Sequence, residues 1–295
     1  MSLILGAVQF GMEYGVTNKS GKPASAAAFN ALDTAWDAGI HVLDSAQGYG
    51  QANRLIAEYH AERPQRFSII NKVMREPETP EEVVSSLRRE REEMDIHKFS
   101  CVMLHYAPSV RPDLPGRFLD DLKSSGITEH VGISIETPAD YEKLKDRFRF
   151  DIVQLPLNFL SQEFISDDFL RDLKEDGVEI HARSAFLQGL TIANPREIPD
   201  YLSGLAPSIR EFHEDCAETG ISPLTGSLMF LEQKSFIEHI VVGAQDSRQM
   251  KEIVTAYDMA RDVLRQGKNL SWGKYAIRDF KLAHPSCWGE LRKGG

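Results

Sequence analysis

Asp44, Tyr49, Lys72 and His105 are four ionisable residues that each stand at or just beyond the end of a short apolar run. Asp44 follows Val42-Leu43, and Tyr49 sits between Gly48 and Gly50 in the next few residues. Lys72 follows Ile69-Ile70-Asn71, and His105 follows Met103-Leu104. Each alone has an ordinary explanation: a turn or cap aspartate, a packing tyrosine, a solvated lysine or histidine at a rim. Together they have a chemical logic. A free tyrosine hydroxyl titrates near pH 10, and a neighbouring ammonium brings it towards the working range of a general acid. Lys72 would supply that charge, and Asp44 would hold Lys72 charged and in place. His105 would donate a hydrogen bond to a carbonyl oxygen. The set describes proton delivery to a carbonyl as it gains electrons. No His-Glu-x-x-His helix and no cysteine/histidine pairing at ligand spacing occurs, so no metal site is expected. A Schiff-base aldolase would also use a barrel lysine, as a nucleophile, but a lysine beside a tyrosine and an aspartate suits a charged role better.

These residues need a scaffold that brings consecutive run ends together. Eight β-like runs are present, at 3–8, 41–43, 67–70, 100–104, 130–133, 151–155, 178–182 and 239–242. Amphipathic helical stretches alternate with them at 24–38, 51–59, 80–94, 116–123, 139–145, 168–175, 207–219 and 247–256. Ala38-Gly39, Ser125-Gly126, Asp176-Gly177 and Thr219-Gly220 punctuate the helix ends as glycine commonly does. The runs are apolar without strict alternation, as strands buried on both faces are. No P-loop occurs, and Gly6, Gly11 and Gly15 are spaced wrongly for a doubly wound dinucleotide fold. The expected fold is a single-domain (β/α)8 barrel with 257–295 as a helical or loop tail. In such a barrel the chemistry lies at the C-terminal ends of the strands, where all four residues fall.

Gly39-Ile40-His41-Val42-Leu43-Asp44-Ser45-Ala46-Gln47-Gly48-Tyr49-Gly50 resembles the G-x-x-x-x-D-T-A-x-x-Y-G signature of the aldo-keto reductases. Asn71-Lys72 resembles that family's T-K strand. Met103-Leu104-His105-Tyr106-Ala107-Pro108 resembles its L-L-H-x-P strand with one extra residue before the proline. The resemblance continues through Val131-Gly132-Ile133-Ser134, Val153-Gln154, Ser184 to Gly189 and Ile240 to Gln249, and so spans residues 3 to about 256. It implies an NAD(P)(H)-dependent enzyme that reduces an aldehyde or ketone by hydride transfer, with Tyr49 as acid and Asp44, Lys72 and His105 completing a tetrad. It implies that Ser134 and Gln154 hold the nicotinamide carboxamide. Arg183, Phe186, Leu187, Gln188 and Gly189, then Gly243, Arg248, Gln249 and Glu252, would hold the rest of the cofactor.

Some positions depart from the family pattern. Ile135 stands where many relatives carry Asn, and Arg183 where an aromatic commonly stacks on the nicotinamide. Gly243-Ala244-Gln245 lacks the base that often grips a 2′-phosphate, Gln249 replaces a common Arg, and Arg248 is one residue off. NADP(H) is the expected cofactor, with NAD(H) as the alternative. Ile135 and Arg183 also motivate a second function class, a nicotinamide-cofactor-sensing protein on the reductase fold with little turnover.

Gln9, Phe10, Met12 and Tyr14, with Tyr106, are the expected substrate walls. The short polar tail suggests an open polar pocket and a small polar or sugar-like carbonyl. The stretch from Gln9 to Pro23 resembles a branch of the family associated with polysaccharide and sugar metabolism.

The chain has 295 residues, 42% hydrophobic and 26% charged, with a net charge of −10. That length buries a sizeable core without staples. The acidic balance argues against nucleic acid as a partner. Cys101, Cys216 and Cys287 are odd in number and far apart, as reduced thiols of a cytoplasmic protein would be. Met1 to Val8 lacks the basic start of a secretion signal, and no run has the roughly 18 apolar residues of a membrane span. A monomer or small homo-oligomer is expected. An anionic cofactor in a protein of net charge −10 needs local compensation, for which Lys72, Arg183 and Arg248 are the candidates.

Overall fold

Eight strands, all parallel, close on themselves in sequence order. They are β1 (Ser2–Gly6), β2 (Val42–Asp44), β3 (Ser68–Val73), β4 (Phe99–Leu104), β5 (Thr128–Ser134), β6 (Ile152–Pro156), β7 (Glu179–Arg183) and β8 (His239–Gly243). The computed structural model describes residues 1–74, 76, 78–165 and 168–294. The closing ladder pairs β1 with β8 over five residues, from Ser2 with His239 to Gly6 with Gly243. The expected (β/α)8 barrel is therefore the fold. Among the described residues no helix is long and apolar enough to cross a membrane.

Two apolar layers hold it. The larger packs the outward faces of the strands against the helices and includes Leu5, Leu43, Val102, Val153, Ile180 and Val242. The smaller fills the barrel with Ile4, Ile70, Cys101, Met103 and Ile152. Burial on both faces is why the strands read as continuous apolar runs. The thiols of Cys101 and Cys216 are buried and none of the three cysteines is paired.

Helix starts follow local chemistry. Thr79 and Glu82 form a reciprocal capping box ahead of Pro80–Glu93, with Pro80 in the first turn where its missing N–H costs nothing. Gly220 takes φ +77° to close Ala206–Thr219.

The boundaries differ from the sequence pattern in instructive ways. The first run stops at Gly6, and Val8–Gly11 is a helical turn instead. β3 runs on through Asn71 and Lys72 to Val73 because both polar side chains find buried partners. The helix Pro223–Glu232 is absent from the amphipathic pattern because it has no polar face: Thr225 to Leu231 are all buried. The last barrel helix extends over Ser247–Arg265, its buried stripe continuing through Tyr257, Ala260 and Val263. The tail therefore begins after Arg265 rather than at 257.

Candidate functional site

The C-terminal strand ends surround a cavity of about 810 Å³, within the range of a nucleotide-sized ligand. Asp44 is the last residue of β2, and its two oxygens serve different donors. Oδ1 contacts Lys72 Nζ, and Oδ2 accepts from Gln154 Nε2 at 2.7 Å. Lys72 Nζ also donates to the Ser45 carbonyl at 3.3 Å. Lys72 is 1% exposed and lies beneath the cavity rather than in its wall. Burial works against the ammonium, but the Asp44 carboxylate and Tyr49 outweigh it and raise its pKa. The Nζ lies 5.1 Å from the centre of the Tyr49 ring. The His105 ring meets Tyr49 edge-on, 5.6 Å between centres at 85°. Asp44, Tyr49, Lys72 and His105 are thus brought together as the spacing predicts.

Close backbone packing places Tyr49. A Cβ on Gly11 would sit 1.7 Å from the Tyr49 carbonyl oxygen, and one on Gly50 would sit 2.6 Å from the Gly11 carbonyl oxygen. The turn Val8–Gly11 and the Tyr49 loop fit only because both residues are glycine.

Ser134, Gln154, Arg183, Phe186, Gln188, Gly189, Gly243, Arg248, Gln249 and Glu252 all line the cavity, as do Gln9, Tyr14 and Tyr106. Three expected residues do not. Phe10 is fully buried in the outer core, Leu187 likewise, and Met12 is 41% exposed away from the cavity. Phe10 belongs to the core because the helical turn points it inward, which a strand-period reading of this segment hides. The loop after β7 holds Ser184, Leu187 and Gln188 at φ +61°, +42° and +56°. Non-glycine residues in this region cost of order 1 kcal/mol each and cluster at ligand-binding loops.

Arg183 is not an exposed cation. It donates to Glu136 Oε1 at 2.7 Å, to the Ile135 carbonyl at 3.0 Å and to Ser134 Oγ at 3.3 Å. Burial opposes ionisation of Glu136, but Arg183 and then His284 outweigh it and hold the carboxyl at about 2. Tyr14 is pushed up to about 12, mainly by burial and then by Tyr49. Arg248 in turn pairs with Glu252 at 3.0 Å. Each of the three cations expected to offset the acidic charge therefore already faces a carboxylate, since Lys72 has Asp44.

Glu136, Glu76, Thr17, Gln245, Pro285 and Ser286 also line the cavity and carry no motif. The signal for Glu136 is Arg183 itself, since a half-buried guanidinium at a strand end requires a carboxylate. Pro285 and Ser286 come from the tail, which therefore walls one side of the pocket expected to be open. His284 anchors it, fully buried 3.5 Å from Glu136 and 3.3 Å from Glu163, with Phe280 stacked on its ring. Burial lowers the His284 pKa, but the two carboxylates outweigh it and the net shift is upward. A histidine whose folded pKa exceeds its unfolded value stabilises fully below the unfolded value and loses that contribution as pH rises through the folded one. Tail docking is thus expected to weaken as pH rises above the ordinary histidine value and through the raised one, read as Trp288 fluorescence or protease release of the tail. A His284→Gln protein should show no such pH dependence; an identical profile would reject the anchor.

The comparisons agree with this architecture. The family model described as "Aldo/keto reductase family" matches residues 2–263. A glycerol dehydrogenase from Gluconobacter oxydans is similar in structure at TM-score 0.68 and 16% identity, covering 90% of this chain and 91% of that one. The holo form of an aldo-keto reductase from Bacillus halodurans is similar at TM-score 0.69 and 17% identity, covering 91% and 93%. No curated protein matches the sequence. With a match over nearly its whole length, the chain belongs to the aldo/keto reductase family.

Proposed function

We propose that the protein reduces a small polar or sugar-like aldehyde or ketone to an alcohol, with Tyr49 as the general acid. Aldo-keto reductases use nicotinamide cofactors, and membership makes this chain an oxidoreductase of that kind. The observation that carries the finer reading is the fully buried Lys72 ammonium, held by Asp44 against the Tyr49 ring at the floor of the cavity.

Tyr49 donates its proton to the substrate oxygen as negative charge develops there. Lys72 stabilises the tyrosine anion that forms, and Asp44 keeps Lys72 charged and oriented. His105, at the edge of the Tyr49 ring, would polarise the same carbonyl oxygen. The residues fit a nicotinamide group. Gln154 Oε1 is buried at the cavity with no hydrogen-bond partner, an acceptor suited to a carboxamide N–H. Ser134 Oγ stands nearby on β5, and the loop from Ser184 to Gly189 would hold the pyrophosphate. The cofactor, when bound, supplies the hydride.

The pairing of Arg248 with Glu252 is what favours NAD(H), the alternative in the sequence, over NADP(H). Glu252 faces Arg248, the arginine the sequence offers for a 2′-phosphate, and would repel that phosphate, whereas it would accept a hydrogen bond from a 2′-hydroxyl. Titrating NADH and NADPH into the purified protein by fluorescence, then assaying turnover with hydroxy-aldehydes such as glyceraldehyde, tests both parts. NADH is expected to bind at least as tightly as NADPH, and Glu252→Gln to improve NADPH selectively. Tighter NADPH binding by more than about tenfold (~1.4 kcal/mol) would reject the cofactor reading. Nucleotide binding without turnover on a broad carbonyl panel would favour the cofactor-sensing reading, which the paired Arg183 in place of a stacking aromatic keeps in view.

A further inference from the structure

The opposite end of the barrel holds a second cluster that carbonyl reduction does not use. Ile180 and Ala182 of β7 and Ile240 and Val242 of β8 pack outward against the helices. The alternate residues, Glu179, His181 and His239, therefore face the barrel interior at its N-terminal end. His181 and His239 are direct register partners across the two strands. Their rings meet at 81°, 4.8 Å between centres, and both aim Nε2 at the same carboxylate oxygen. His181 Nε2 lies 2.6 Å and His239 Nε2 3.1 Å from Glu179 Oε1.

We propose that Glu179, His181 and His239 form a binding site for a divalent transition-metal cation of the zinc class, clamping β7 to β8. Two imidazoles and one carboxylate are a borderline-soft donor set that suits Zn²⁺ and its neighbours, not the all-oxygen preference of Ca²⁺ or Mg²⁺. Three donor atoms within 4.8 Å of one another leave a fourth tetrahedral position for water. That position faces outward, because the side chains of Glu179 and His239 are 40% and 29% exposed while that of His181 is 2% exposed. Metal–ligand bonds of about 2.0–2.1 Å set tetrahedral donors roughly 3.3 Å apart. To reach that spacing the more exposed Glu179 oxygen, now 2.6 Å from His181 Nε2 and 3.1 Å from His239 Nε2, would withdraw by about 0.7 Å from the first and about 0.2 Å from the second.

Ser2 Oγ, 2.8 Å from His239 Nδ1, can accept from that nitrogen once Nε2 gives its lone pair to the ion, the outer contact that orients metal-bound imidazoles. His181 Nδ1 is buried with no hydrogen-bond partner. That orphan persists whichever ring nitrogen carries the proton, so it does not oppose the switch.

The consequence is structural. β7 and β8 share only two register pairs, His181 with His239 and Ala182 with Ile240, against five between β1 and β8. A cation bridging the first of these pairs reinforces a thin seam of the barrel. Residues at this face of the fold govern stability rather than chemistry.

The test uses the full chain stripped with a chelator. Titration with ZnCl₂ by calorimetry is expected to show one equivalent bound per chain and a raised Tm. CoCl₂ should give the intense visible absorption of tetrahedral Co²⁺. Glu179→Gln and His239→Asn should each weaken binding by tenfold or more, with cofactor affinity unchanged. Absence of stoichiometric binding and of the Co²⁺ spectrum in the unsubstituted protein would overturn the proposal, leaving Glu179 as a plain hydrogen-bond bridge. So would binding of equal strength in both variants, which would mark the ion as adventitious. The Co²⁺ spectrum of the unsubstituted chain decides the matter even if a variant fails to fold.

Discussion

Tyr49→Phe is expected to cut turnover by about 10²–10⁴-fold while leaving cofactor binding unchanged. The hydroxyl is the only atom removed, and the ring keeps its edge contact with His105 and its position over Lys72. The loss should fall on kcat, because a proton donor acts on charge that appears only in the transition state. Stopped-flow single turnovers with saturating cofactor would separate this from slow product release. Turnover within about tenfold of the unsubstituted protein would remove Tyr49 from the acid role, because general acids contribute more than that.

Lys72→Met should have the second-largest effect, and on two quantities at once. It leaves Asp44, 3% exposed, buried without its countercharge. Breaking one side of a buried pair costs about 3–5 kcal/mol of stability. Turnover should fall as well, because nothing then stabilises the Tyr49 anion. Adding Asp44→Asn to Lys72→Met removes the stranded charge, and the Asn amide oxygen still accepts from Gln154. The double variant is therefore expected to regain much of the lost stability in denaturant melts while staying catalytically crippled. If activity returned together with stability, Lys72 would be a structural residue and no more.

The barrel and the four central residues were legible because both are local signals. Apolar runs, helix-ending glycines and the spacing around Asp44 and Tyr49 all lie within short stretches of chain. What was hidden depends on partners distant in sequence. β3 continues through Asn71 because Glu90 accepts from its side chain at 2.7 Å. Gln154 was read as a ligand contact; its amide nitrogen is committed to Asp44, and its oxygen is buried with no hydrogen-bond partner. Phe10 and Tyr14 lie four positions apart, and only the helical turn between β1 and the following loop decides that the first is core and the second cavity wall. Leu187 follows the same logic: the strained loop turns its side chain into the core while its neighbours Phe186 and Gln188 face the pocket. Glu136 is signalled only indirectly, through Arg183, while His284 and the Glu179–His181–His239 cluster carry no local signal, because each needs two or more segments to meet.

The pairing of the three expected cations has a kinetic consequence. Lys72, Arg183 and Arg248 each spend their charge on an adjacent carboxylate, in a chain of net charge −10. Beyond a Debye length of about 8 Å such pairs look neutral, and the excess acid of the surface is what an approaching dinucleotide meets. Electrostatic steering is therefore not expected to guide a dinucleotide in, and for a cofactor held in this cleft as proposed, residence time rather than encounter rate would set affinity.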